Sequence, residues 1–256
     1  MLTNIDIAMT AIIRPEVINK TLKSFCREAF SKRNHKYRLI INVDPIGRSD
    51  VDSMSVISIC KRYFPKEDII FNTPNMPSFP KAVKWVWSQV QSEFVFHLED
   101  DWLLLKNIDL NDMILTFRKY DNLASLRLSN KKLKVVGTRL IDVGPLRYEY
   151  KREIHKKLNV AIGRGVSFSL NPSLMRCSVI KSIVPLLKEN VNPEKQLRKA
   201  NHVLRDIIMK WDYGVYGTPG DRACVDGSIG RYWREKMRFK KPNKSFITWE
   251  KEEGYE

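Results

Sequence analysis

At 256 residues and 43% hydrophobic content, the chain can bury the core of one large α/β domain or two small ones, which excludes a disordered or fibrous protein. Lysine and arginine number 45 against 29 acidic residues, and the formal charge of +16 points to polyanionic partners. Cys26, Cys60, Cys177 and Cys224 form no C-x-x-C pair, arguing against a zinc ribbon, a redox motif or a disulfide framework. MLTNIDIAMTAII lacks a basic n-region and a cleavage site, and no apolar run is long enough to span a bilayer, so a soluble cytoplasmic protein is expected.

Ile5 to Ile13 is an apolar, β-branched run ending at Arg14-Pro15, and proline can open a helix at its first turn. In that helix Val17, Ile18, Leu22, Phe25, Cys26, Ala29 and Phe30 recur at three- and four-residue steps, one apolar stripe for a sheet. Tyr37 to Val43 is a second strand, ending in Asp44-Pro45. A helix over 50–64, a strand over 68–71 and a turn-rich loop over 72–77 follow. Pro80 to Gln91 reads as a helix with Ala82, Val83, Val86, Trp87 and Val90 inward. It leads into Phe94 to Leu98, a strand buried on both faces. This alternation of strand and helix predicts a doubly wound parallel sheet.

That strand ends in Glu99-Asp100-Asp101. Open sheets bind ligands outside the carboxyl ends of their strands. Acids side by side repel one another, and a divalent cation is the simplest compensation, Mg2+ or Mn2+ rather than zinc for oxygen-only ligands. A solvated acidic turn is the plainer alternative.

Further on, the pattern predicts a helix over 110–120 and a strand over 123–128. From Lys131 to Lys157 nine basic residues face three acidic ones around Gly137, Gly144 and Pro145, the composition of exposed hairpins or a mobile loop. A strand is expected over 160–170, and a helix from Asn171-Pro172-Ser173 holding Leu174, Met175, Val179, Ile180 and Ile183. Asn192-Pro193-Glu194 opens another helix, with asparagine as cap and proline at its first position. Arg231 to Lys244 reads as a basic tail, seven basic residues against one acid. There is no internal repeat or low-complexity linker, so a single domain over 1–256 is the economical description.

The FVFHL strand with Glu99-Asp100-Asp101, the opening strand with Thr10 and Arg14-Pro15, Asp44 at the second strand's end and Phe79-Pro80-Lys81-Ala82 resemble the GT-A glycosyltransferases. That family has a Rossmann-like mixed α/β sheet, parallel in its N-terminal half, and an Asp-x-Asp metal motif. The resemblance implies a nucleotide-sugar half over 1–102 and an acceptor half over 103–256. It implies Asp101 as ligand of Mn2+ or Mg2+, Asp100 at the sugar or ribose, and Glu99 at a metal-bound water or the ribose. Thr10, Arg14, Asp44 and Lys81 would line the nucleotide site of a UDP-sugar, and Arg231 or Arg234 would meet phosphate from a tail over the diphosphate. The second strand departs from the family's Asp-Asp-Gly-Ser ending, having Asp44-Pro45-Ile46-Gly47.

An inverting member needs a base for the acceptor hydroxyl, and Glu194 at its proline-opened helix start has the family's placement, with Asp142, Asp221 and Asp226 as alternatives. A first-turn acid is also favoured by the helix dipole alone. His97 reads as a core histidine, Trp85, Trp87 and Trp102 as a stacking wall or as core, and Gly163-Arg164-Gly165 is too short for a phosphate loop. The basic second half suits hydroxylated pyrimidines in viral DNA as acceptor, in a host cytoplasm. A glycan or lipopolysaccharide glycosyltransferase, a fold-sharing nucleotidyltransferase and a non-enzymatic nucleic-acid-binding protein are the alternatives, the last leaving the acidic triplet without a role.

Overall fold

A computed structural model describes residues 3–30, 35–130, 139–143, 146–150, 169–198, 202–208, 210–216, 223–240 and 250–251. Its strands are β1 (Thr3–Ile13), β2 (His35–Gly47), β3 (Ile69–Asn72), β4 (Phe94–Glu99), β5 (Leu103–Leu104), β6 (Leu123–Leu128), β7 (Arg139–Val143), β8 (Leu146–Tyr150), β9 (Ser173–Arg176), β10 (Asp212–Tyr216), β11 (Val225–Asp226), β12 (Phe239–Lys240) and β13 (Glu250–Lys251). The helices are α1 (Pro15–Phe25), α2 (Ser53–Cys60), α3 (Phe79–Ser88), α4 (Leu110–Lys119), α5 (Cys177–Ile183), α6 (Pro193–Arg198), α7 (His202–Ile208) and α8 (Ser228–Lys236).

One sheet runs β3-β2-β1-β4-β9-β6-β10-β8-β7. Its first four strands are parallel, and β9 enters antiparallel to both β4 and β6. Side-chain alternation sends Ile5, Ile7, Met9, Phe94 and Phe96 to one face, with Leu22 and Phe25 of α1 and Phe117 of α4. Ala8, Ile40 and Val95 go to the other, against Val83, Val86 and Trp87 of α3 and Ile180 of α5. Each large side chain so buried contributes about 1.5–3 kcal/mol. The parallel, doubly covered N-terminal half expected from the sequence is present.

Several expectations are corrected. Leu174 and Met175 belong to β9 and not to a helix, which starts only at Cys177. In the slot between β4 and β6, Leu174 serves one core face and Met175 the other, while Arg176 Nε donates to Leu123 O at 2.8 Å. The second helix spans 53–60 rather than 50–64, because Asp52 accepts from Ser55 N–H and caps it there. Arg231 to Lys236 is helix and not a basic tail, held by buried Trp233, whose Nε1 donates to Glu16 at 2.6 Å. The basic segment after Lys131, expected as hairpins or a loop, does contain a hairpin, β7-β8, at the sheet's far edge. The strand expected over 160–170 and Gly163-Arg164-Gly165 fall mostly or wholly outside the described residues.

β2 continues through Pro45 to Gly47 instead of stopping at Asp44. Its register with β1 slips there, Ile12 facing Asp44 and Ile13 facing Gly47. Gly47 has φ +133°, and a Cβ on it would lie 2.2 Å from Ile13 O, so only glycine fits. The slip leaves Asp44 at the carboxyl edge of the sheet.

Candidate functional site

The carboxyl ends of β2, β1 and β4 open on a cleft of about 580 Å³. Asp44, Thr10 and Arg14, then Glu99 to Trp102, line one wall. Asn130 after β6, Asn171 before β9, Asn192 and Glu194 at the start of α6, Asp226, and Arg231 and Arg234 of α8 line the rest.

At the β2 end, Asp44 is buried, its Oδ1 accepting from Asn42 Nδ2 at 2.8 Å and its Oδ2 from Ser78 N–H at 3.0 Å. Asn42 Oδ1 in turn accepts from Asn72 Nδ2 at 2.6 Å, a row of side chains across the ends of β3 and β2. Burial outweighs these donors and pushes Asp44 up to about 6.

Two of the three acids are paired with arginines of the chain itself. Asp100 Oδ2 accepts from Arg14 Nε at 2.7 Å and from Ile12 N–H at 3.3 Å, and Asp100 Oδ1 accepts from Arg14 Nη2 at 2.5 Å. Asp101 Oδ2 meets Arg14 Nη2 at 3.2 Å and Arg234 Nη1 at 3.4 Å. Burial disfavours the charge on Arg14, but Asp100 and Asp101 outweigh it and hold the guanidinium above its ordinary value. The Arg14 guanidinium also lies 5.7 Å from the centre of the Trp233 ring. Arginine thus offsets much of the repulsion between Asp100 and Asp101. Glu99 has no arginine in that set. Burial first, then Asp101, pushes it up to about 8, with Asp100 and Glu194 adding, while Trp102 Nε1 donates to it at 3.3 Å.

Thr10, Arg14, Asp44, Glu99, Asp100, Asp101, Glu194 and Arg231 thus share one cleft. Within it Arg14 pairs with Asp100 and Asp101, and both oxygens of Asp100 accept from it. Lys81 does not join: it is exposed on α3, and Phe79 and Ala82 reach the lining in its place. Of the alternatives to Glu194, Asp226 reaches the cleft, but its oxygens accept from Ser228 N–H at 2.9 Å and Ser228 Oγ at 2.7 Å, tying it to the start of α8. Asp142 lies in β7, and Asp221 is outside the described residues.

His97 is fully buried, accepts from Trp87 Nε1 at 3.2 Å and is pushed down to about 3 by burial, so it is a neutral core residue. On α3, Trp87 is buried in the core and Trp85 packs partly buried against it, while Trp102 lines the cleft. Sequence reasoning missed Asn130 and Asn171 as lining residues and the Asn72-Asn42-Asp44 row. Only Asn42 left a signal, two residues before Asp44 on the same face of a strand. Among the described residues no group of three His, Cys, Asp or Glu is arranged to hold a metal ion.

No protein-family model and no curated protein matches the sequence. Solved structures do. S. aureus TarS matches with a TM-score of 0.55 at 15% identity, over 92% of this chain and 63% of that one. TarS in complex with UDP-GlcNAc matches at 0.55 and 16%, over 87% and 58%. The mannosyltransferase PcManGT from Pyrobaculum calidifontis, in complex with GDP-Man and Mn2+, matches at 0.53 and 10%, over 93% and 60%. At such identities the likeness is one of fold, the mixed α/β sheet of GT-A glycosyltransferases, and the chain spans about three-fifths of their length.

Proposed function

We propose that this chain is a glycosyltransferase moving a sugar from a nucleotide-sugar donor to an acceptor hydroxyl. One observation carries the reading: a single cleft has Asp44 at one end, Glu99-Asp100-Asp101 with two arginines in the middle and Glu194 among its lining. Residues 1–102 form the donor half and 103–256 the acceptor half. Asp44, with Asn42 and Ser78 orienting it, accepts from an N–H of the nucleobase, a UDP-sugar being the preferred donor. Arg231 and Arg234 take phosphate oxygens, and Glu194 accepts the proton of the attacking hydroxyl.

The donor set fits Mn2+ or Mg2+. Asp101 supplies a carboxylate on the cleft, and hard cations complete their shells with phosphate oxygens and water rather than an all-protein cage. A cation held there supplies charge neutralisation for the leaving diphosphate.

For the acceptor, the formal charge of +16 and the exposed Arg231, Lys236 and Arg238 in and just after α8 favour a phosphodiester polymer, and hydroxylated pyrimidines in DNA are the reading we carry forward. A glycan or lipopolysaccharide acceptor is the second enzymatic reading. Four free cysteines suit a reducing cytoplasm, that of a host cell if the acceptor is viral DNA. No helix among the described residues is long and apolar enough to cross a membrane.

Nucleotide sugars screened with Mn2+, reading released nucleotide, test this directly. Release from one donor, abolished by Asp101→Asn and by chelating the metal, is the expected result. No release from any donor, or full activity in Asp101→Asn, overturns it.

A further inference from the structure

Two arginines share Asp101 Oδ2, and they are held differently. Arg14 also grips Asp100 through two nitrogens, lies against Trp233 and is 4% exposed, so it is fixed to the strand end. Arg234 reaches Asp101 from α8, its side chain 21% exposed, and lines the cleft with Arg231. Gly230, one turn earlier, presses the α8 backbone on the same carboxylate, since a Cβ there would lie 1.9 Å from Asp101 Oδ2.

We propose that Arg234 is the resident counter-ion of Asp101 in the donor-free protein, and that a divalent cation takes its place only when a nucleoside diphosphate draws Arg234 onto its phosphate oxygens. The inference rests on the glycosyltransferase reading for the identity of the diphosphate, but not for how Asp101 meets a metal ion. A cation on this oxygen would sit beside guanidinium nitrogens that approach it to 3.2 and 3.4 Å. Each such like charge in a partly desolvated cleft weakens its affinity by about tenfold or more. A diphosphate offers Arg234 more negative charge than one carboxylate and a bidentate geometry, which removes the repulsion. It also brings the oxygens that a hard cation requires. Linkage then makes the effect mutual, donor tightening metal as much as metal tightens donor.

The probe is Mn2+ itself, titrated into the full chain and followed by the paramagnetic resonance of the free ion, with no nucleotide and with UDP. Without nucleotide, Arg234→Met is expected to bind Mn2+ about tenfold more tightly than the unchanged chain, with the gap narrowing to less than about threefold once UDP is present. Arg234→Lys keeps the charge and is expected to keep the weak affinity, which separates charge from packing. The gain must vanish in the Arg234→Met, Asp101→Asn double variant. Arg234→Gln replaces the Met variant if that one does not fold. Equal nucleotide-free affinities in all variants, or a gain that survives loss of Asp101, overturn the proposal. If UDP fails to bind at all, the nucleotide-free comparison still decides it, so its failure and that of the glycosyltransferase reading are told apart.

Discussion

Glu194 and Asp226 both face the cleft, but their surroundings separate them. Asp226 spends its oxygens on Ser228, so Asp226→Asn is expected to loosen the start of α8 and lower the melting temperature. Glu194→Gln should instead cut kcat by about 100- to 10,000-fold with donor affinity kept, the range for a general base, and steady-state kinetics with isothermal titration of UDP reads both. A loss below about tenfold gives the role to another group. Asp44 carries a pH dependence. Burial raises its folded value to about 6 from 3.8, so the stability it contributes is fully present below 3.8 and is lost as pH rises through 6, about 3 kcal/mol in all. Over the same window the carboxylate becomes able to accept from a nucleobase N–H. Uridine, which has no phosphate to titrate there, is expected to bind more tightly at pH 7 than at pH 5, and Asp44→Ala should flatten the profile. An unchanged profile in that variant removes Asp44 from the nucleobase site.

At the scale of elements, α8 is the helix that packs on Asp101 and lines the cleft. Its backbone meets Asp101 at Gly230, and Gly227 meets the Trp102 ring, where a Cβ would lie 3.2 Å from Cζ3. Alanine inside a helix ordinarily stabilises by up to about 1 kcal/mol over glycine. Here the added methyl would also fall 2.6 Å from the Asp101 Cβ, which cannot swing away as a side-chain tip can. Gly230→Ala is therefore expected to lower the melting temperature by several degrees and to reduce turnover sharply. A Gly230→Ala protein as stable and active as the original would mean that α8 does not lie on Asp101. The β9 strand is the other element on which the site depends. By filling the slot between β4 and β6 it brings Asn171 beside the acidic triplet and Asn130 next along the same edge.

For the whole molecule, excess positive charge is the dominant property, and it makes salt the variable to test. If the acceptor is a nucleic acid, each phosphate neutralised releases counterions, and log K must fall linearly with log salt. A double alanine variant at Lys236 and Arg238 should flatten that slope, and so should alanines at Lys151, Arg152, Lys156 and Lys157, which lie outside the described residues. Binding alone decides little, because a protein of charge +16 adheres to DNA without specificity. Sugar transfer to hydroxymethylated DNA, lost in the variants, is the expected outcome. Transfer only to a saccharide or lipid-linked acceptor rejects the DNA reading and leaves the enzyme class standing.

The apolar runs, the Arg14-Pro15 helix start, the alternating strands and helices and the acids closing Phe94–Leu98 were all legible in the sequence, because each is a local pattern with a local physical cause. Burial on both faces writes a continuous apolar strand, and a helix on a sheet writes a stripe. The position of Glu99 to Asp101 at a strand's end followed from the same patterns, whereas β2 runs on past Asp44 to Gly47. Tertiary structure decided the rest. Leu174 and Met175 suit helix or strand equally, and only the slot between two distant strands chose. Nothing near Arg14 marks Asp100, 86 residues on, as its partner, and nothing near Asp101 marks Arg234, 133 residues on. A side chain's sequence neighbours record which way it faces, but not which distant backbone will be packed against it. For that reason the acidic triplet by itself gave no sign that Asp100 and Asp101 are paired with Arg14 and Arg234.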